Sequence, residues 1–215
     1  TNVSRLVVLQ LSMRVLLFYP RFPKTFWSFD RAVELMGHRV LLPPLGLITV
    51  AALLPQHWDF QLVDCNVREV SEDEWAWADL VILSAMIVQK KDLAHQIRLA
   101  KQHKCPVAVG GPFATSTPEA EELKGVDYLV LDEGEITLPM LVDAIDNGAL
   151  SGQFRAEGEK PDLSTSPVPR LTDGQKSKSH CTATGLNSLG GQGAMRAWGS
   201  HTSPIPRGFP RPAPW

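Results

Sequence analysis

The sequence predicts an α/β fold built on a five-stranded parallel sheet, and two observations carry that reading. Between Met13 and Gly148, short apolar runs alternate with helix-like segments five times over. In the clearest runs, 14–20 (RVLLFYP) and 80–84 (LVILS), the apolar residues are continuous instead of alternating, the mark of strands buried on both faces. Strand–helix units joined by right-handed crossovers give a parallel sheet with helices on both faces. The expected strand order is the flavodoxin-like (Rossmann-like) 2-1-3-4-5, in which ligands lie beyond the carboxyl ends of the strands.

The first strand, 14–20, is closed by Pro20. A long connection, 21–44, follows and carries Phe22, Phe26, Trp27 and Phe29. So many aromatics either pack on the domain or cover a ligand. Residues 45–54 (LGLITVAALL) are apolar nearly all round, which predicts a helix buried between layers and stopped by Pro55. Residues 60–64 (FQLVD) are the second strand, and 72–78 a short helical turn with Trp75 and Trp77. The third strand is 80–84. Leu93, Ala94, Ile97 and Ala100 stand at helical spacing in 91–103. The fourth strand is 107–109. Pro118 is expected to open a helix, with Glu119, Glu121 and Glu122 at the positive end of its dipole. The fifth strand is 128–131. A helix over 135–147, capped by Gly148, closes the domain.

The 215 residues are 44% hydrophobic and 20% charged with a net charge of −2, so nothing in the bulk composition points to nucleic acid or to an anionic membrane. No apolar run approaches the length of a membrane span. Cys65, Cys105 and Cys181 lie far apart without a C-x-x-C pair, which fits inert thiols in a reducing cytoplasm. Residues 1–12 are expected to be an N-terminal extension, 13–150 the ligand-binding domain, and 151–170 a polar, Pro-rich linker. Residues 171–215 show neither periodicity, carry five basic residues against one acid, and are rich in Pro and Gly; the expectation is a disordered or frame-shifted tail.

The strand ends decide the function. There is no G-x-G-x-x-G at the first turn and no P-loop, so nicotinamide and nucleoside triphosphate ligands lose support. Pro20 to Lys24 is not a flavin phosphate loop, and Ser84 stands where a phosphorylatable aspartate would be required. What remains is a set of small or polar groups. Leu45-Gly46 enters the first helix, Asp64 and Asn66 follow strand two, and Ser84-Ala85-Met86 follow strand three. Gly110-Gly111-Pro112 follow strand four, and Glu133-Gly134-Glu135 follow strand five. The paired glycines remove side chains where a backbone has to approach a ligand. Ser84 can both donate and accept, and Gly46 and Gly134 leave helix N–H groups free. A small hydroxyl residue at one strand end and bare backbone at the next suggest a slot between strands for a long, flat tail.

With the S-x-M … GG pair in place, the chain resembles the cobalamin-binding (B12) domain. MRVLLFYPRFPKTFWSFDRA, LLPPLGLITVAALLP, VGGPFATSTPE and LVLDEGEITLP are similar, in order and spacing, to the N-terminal domain of B12-dependent radical SAM proteins, especially the subgroup with the hopanoid methylases. The resemblance runs from about Met13 to Arg170. It implies a corrinoid over the strand ends, with Ser84, Gly110 and Gly111 lining a slot for its nucleotide tail. It further implies that Leu45, Gly46, Asp64, Ala85, Met86, Pro112, Glu133, Gly134 and Glu135 contact tail or ring. The D-x-H-x-x-G motif that ligates cobalt in methionine-synthase-type domains is absent. The C-x-x-x-C-x-x-C whose thiolates hold the [4Fe–4S] cluster that cleaves S-adenosylmethionine in that family is absent too, and Cys181 is alone in that region.

The expectation is therefore a corrinoid-holding module, truncated before the radical SAM core and not catalytic by itself, whose methyltransferase chemistry would need that core or a separate radical SAM chain. No residue of this chain is assigned a catalytic or metal-ligating role. The alternative is a ligand-free flavodoxin-like interaction domain or a decayed gene fragment. His38 is expected at the surface instead of on cobalt, and His95 and His103 on a solvated helix face. Trp75 and Trp77 either stack on a corrin or pack under the sheet.

Overall fold

The computed structural model describes residues 12–24 and 44–169. These fall within the first of two compact units, Thr1–Lys178. The second unit, Ser179–Trp215, and the whole expected tail 171–215 with Cys181 lie outside the described residues, as do Phe26, Trp27, Phe29, His38 and residues 1–11.

Five strands form where the apolar runs stand: β1 (Arg14–Tyr19), β2 (Asp59–Asp64), β3 (Leu80–Ser84), β4 (Val107–Gly110) and β5 (Tyr128–Val130). All pair in parallel, and the order contains the expected 2-1-3-4-5. A sixth strand, β6 (Gly152–Phe154), extends the order to 2-1-3-4-5-6 and lies in register with β5, Tyr128 against Gly152 and Val130 against Phe154. The sequence reading places these residues in the linker. Three residues carry no periodicity, and only the exposed backbone edge of β5 makes them a strand.

Helix α1 (Leu45–Leu53) buries Leu47, Ile48 and Ala51, while Leu45 and Gly46 face solvent; it is one-sided, not buried all round. Helix α2 (Glu72–Trp77) starts on a capping box. Ser71 Oγ accepts from the Glu74 N–H, and the Glu74 carboxylate accepts from the Ser71 N–H at 2.9 Å. Helix α3 (Lys90–Gln102) buries Leu93, Ile97 and Ala100 and also Gln96. The helix expected from Pro118 does not form. Instead α4 (Pro112–Ser116) begins directly after the glycine pair, and a 3₁₀ turn covers Glu121–Leu123. Pro112 already supplies the first-turn proline, and Thr117 lies outside the helical region and interrupts it before Pro118. Helix α5 (Gly134–Asp146) ends as expected: Gly148 at φ +77° and Ala149 donate back to Ile145 and Ala144, the two bonds of a Schellman cap.

The two faces of the sheet bury separate clusters. Alternate strand residues Leu16, Phe18, Val81, Leu83, Val107 and Val109 pack with α2, α3 and α4. Val15, Leu17, Leu80, Ile82, Ala108 and Val130 pack with α1 and α5. Cys65 and Cys105 are free and buried. Burial and nearby carboxylates push the Cys65 thiol up to about 12, and burial raises Cys105. Both thiols should therefore resist a disulfide reagent at mildly alkaline pH until the chain is denatured. Rapid labelling of either one in native protein would contradict this packing.

Candidate cofactor-binding site

Register brings three of the sequence-singled residues, Asp64, Ser84 and Gly110, into one row. Tyr19 pairs with Asp64, Phe18 with Leu83, Ser84 with Gly110, and Gly110 with Val130. Asp64, Tyr19, Ser84, Gly110 and Val130 thus form the last rung at the carboxyl edge. Side chains alternate along a strand, so Ser84 shares the face of Leu80 and Ile82, and Gly110 that of Ala108. That is the face covered by α1 and α5, whose first turns carry Leu45-Gly46 and Gly134-Glu135.

The strands do not part at this rung. Pairing continues to Ser84 and Gly110, so the expected slot between strands is not an opening within the sheet. The open backbone begins one residue later, at Gly111, whose φ of +88° and ψ of −178° suit glycine alone. A Cβ at Gly111 would fall 2.4 Å from Ser84 Oγ and 3.4 Å from the Ala85 nitrogen. A Cβ at Gly110 would fall 2.9 Å from the Val130 carbonyl oxygen. The glycines therefore let the turn close down on Ser84 and on β5, leaving a serine hydroxyl against bare backbone. Pro112 follows at the start of α4, and the Phe113 N–H donates to the buried Ala85 carbonyl at 3.1 Å, which ties the turns after β3 and β4 together. Gly46 has nothing within 4 Å of an added Cβ, and Gly134 packs against Leu138 and Leu53.

Asp64 is 6% exposed. Its Oδ1 accepts from the Asn66 N–H at 2.8 Å and the Asn66 Nδ2 at 2.7 Å. Burial raises its carboxyl above the usual range, and the bonds from Asn66 oppose this. The folded chain thus favours the protonated form. That contribution to stability is present below the unfolded carboxyl value and is lost as pH rises through the folded one. Asp64→Asn keeps the accepting oxygen and removes the charge. The expected result is a higher melting temperature than wild type near neutral pH, a gain that disappears in acid; calorimetry at the two pH values checks it.

At β5, Asp132 holds a positive φ of 64°. Its N–H donates to Thr115 Oγ1 at 2.9 Å, and its carboxylate lies 3.9 Å from Arg155 Nε. Glu133 is exposed and caps α5 through its carbonyl, which accepts from Thr137 Oγ1 at 3.0 Å. Glu135 accepts from Ser166 Oγ. The chain after β6 therefore returns to this edge, which the sequence does not reveal.

Trp75 does not reach the site. It stacks on Phe18 with centroids 5.2 Å apart and on His103 at 4.8 Å, within the opposite face. Trp77 is half-buried and His95 exposed. Among the described residues no group of three or more His, Cys, Asp or Glu could hold a metal ion, and no helix is long and apolar enough to cross a membrane. Sequence reasoning missed Gln89, Ile87 and Val88. Gln89 is 1% exposed and bonded to two strand ends, whereas Ile87 and Val88 are exposed. The one available signal was a glutamine three residues after Met86, the spacing of a capping box.

Residues 39–142 match the family model of the B12 binding domain. The chain is 59% identical over 158 residues to an uncharacterized methyltransferase of Synechocystis, covering 74% of this chain and 29% of that protein. It is 33% identical over 165 residues to the hopanoid C-2 methylase of Rhodopseudomonas palustris, covering 74% and 31%. An uncharacterized methyltransferase of Pyrococcus horikoshii is 29% identical over 146 residues, covering 63% and 31%. The chain thus spans under a third of the length of these curated relatives.

Proposed function

We propose, on the premise that the chain belongs through residues 39–142 to the B12 binding domain family, that it is the corrinoid-holding part of a methyltransferase-type protein. The observation that carries this is the Ser84–Gly111 contact at the end of the rung, where the serine hydroxyl meets backbone that admits no Cβ. That cradle lies on the α1/α5 face, where the first turns of both helices leave N–H groups for the amides and phosphate of a nucleotide tail.

In this reading Ser84, Gly110 and Gly111 line the tail slot. Leu45, Gly46, Asp64, Ala85, Met86, Pro112, Glu133, Gly134 and Glu135 surround tail or ring. Two of these roles are narrowed by local bonding. Ala85 is buried and contributes its backbone, and Glu135 is already engaged by Ser166. When bound, the corrinoid supplies the methyl-carrying chemistry; the chain's own part is to hold and orient it. The activation step would fall to a [4Fe–4S] cluster and S-adenosylmethionine on a radical SAM core, elsewhere in a longer protein or on a partner chain.

The test is titration with hydroxocobalamin at tens of micromolar. Binding with a shift of the visible bands supports the proposal. No binding by spectroscopy and calorimetry leaves the ligand-free interaction domain as the better reading.

A further inference from the structure

The turn between β3 and α3 shows the solvent three consecutive apolar side chains. Met86, Ile87 and Val88 are 49%, 60% and 52% exposed. The next residue, Gln89, is buried and polar. Its Oε1 accepts from the Met86 N–H at 2.8 Å, and its Nε2 donates to the Pro20 carbonyl at the end of β1. Its own N–H donates to the Met86 carbonyl at 2.9 Å and closes the 3₁₀ turn Ile87–Gln89. The Pro20 carbonyl also takes Asn66 Nδ2 at 3.4 Å, and Asn66 Oδ1 takes the Phe22 N–H at 2.8 Å. One hydrogen-bonded chain therefore runs Met86–Gln89–Pro20–Asn66–Asp64 across the ends of β3, β1 and β2. A leucine would fill the same volume without the cost of burying an amide. Only an amide offers a donor and an acceptor at one tip, which this bridge requires.

We propose that Gln89 is a positioning residue of the corrinoid site, holding the Met86–Val88 turn as an apolar platform for the flat face of the macrocycle. This rests on the corrinoid reading above. A flat ring covers an exposed apolar turn well only if the turn is rigid, and the bridge to β1 makes it so.

Three variants test it with hydroxocobalamin on the full chain, each with its melting temperature recorded. Gln89→Leu removes both bonds. It should weaken binding roughly tenfold or more, because the Met86 N–H loses its side-chain acceptor, the Pro20 carbonyl keeps only the longer bond from Asn66, and the turn shifts. The visible bands of the bound form should also move at saturation, which lowered stability alone would not cause. Gln89→Glu keeps the acceptor for Met86 and should fall between. Ile87→Ser with Val88→Ser changes exposed side chains only, so the fold is retained and binding should weaken to a similar degree. Wild-type affinity and spectrum in a folded Gln89→Leu protein, or in the serine pair, overturns the proposal. If Gln89→Leu does not fold, the serine pair decides. Failure of the wild-type chain to bind refutes the corrinoid reading itself, which is a separate result.

Discussion

Gly111→Ala is expected to lower the melting temperature by roughly 5–10 °C and to abolish corrinoid binding. Two causes act together. At φ +88° and ψ −178° a side chain is strained whatever space surrounds it, at about 1–3 kcal/mol. The new methyl group also meets Ser84 Oγ at 2.4 Å. Ser84 can rotate away, but it then leaves the position that the proposed tail slot requires. The two causes separate in a double-mutant cycle. Ser84→Gly with Gly111→Ala should recover the steric part of the stability and none of the affinity. Wild-type affinity in a folded Gly111→Ala protein would show that the ligand does not use this turn.

Trp75→Ala should have the opposite signature, a large loss of stability with no change in affinity. The indole is 5% exposed and lies between Phe18 and His103, with interplanar angles of 26° and 2°. Truncating a buried aromatic of this size costs about 3–5 kcal/mol. The cavity opens beside Phe18 and Cys105, on the face away from α1 and α5. Measured well below its melting temperature, the variant should bind hydroxocobalamin as wild type does. A weakened affinity there would mean that the two faces of the sheet are coupled.

Much of the fold was legible because it is local. A short run such as Val81-Ile82-Leu83 has no polar position to face solvent, which fits a strand covered on both sides; α3 announces itself by its apolar spacing, and α5 by the glycine that caps it. Pro118 carries a helix-opening signal, yet Pro112 carries one six residues earlier and uses it first. Residues 152–154 carry no pattern and became a strand because β5 had an unpaired edge.

The sequence by itself determined the parallel α/β layering and which small and polar residues stand at the strand ends, because each depends on a few consecutive side chains; the order of the first five strands followed from that fold class and its right-handed crossovers. Only the tertiary structure decided that Asp64, Tyr19, Ser84 and Gly110 form one rung, that Ser84 meets Gly111, and that Gln89 ties Pro20 to Met86. Those contacts depend on strand register and on bonds between residues up to 69 positions apart. Register is set by burying both faces of the whole sheet at once, and no local window of sequence contains that constraint.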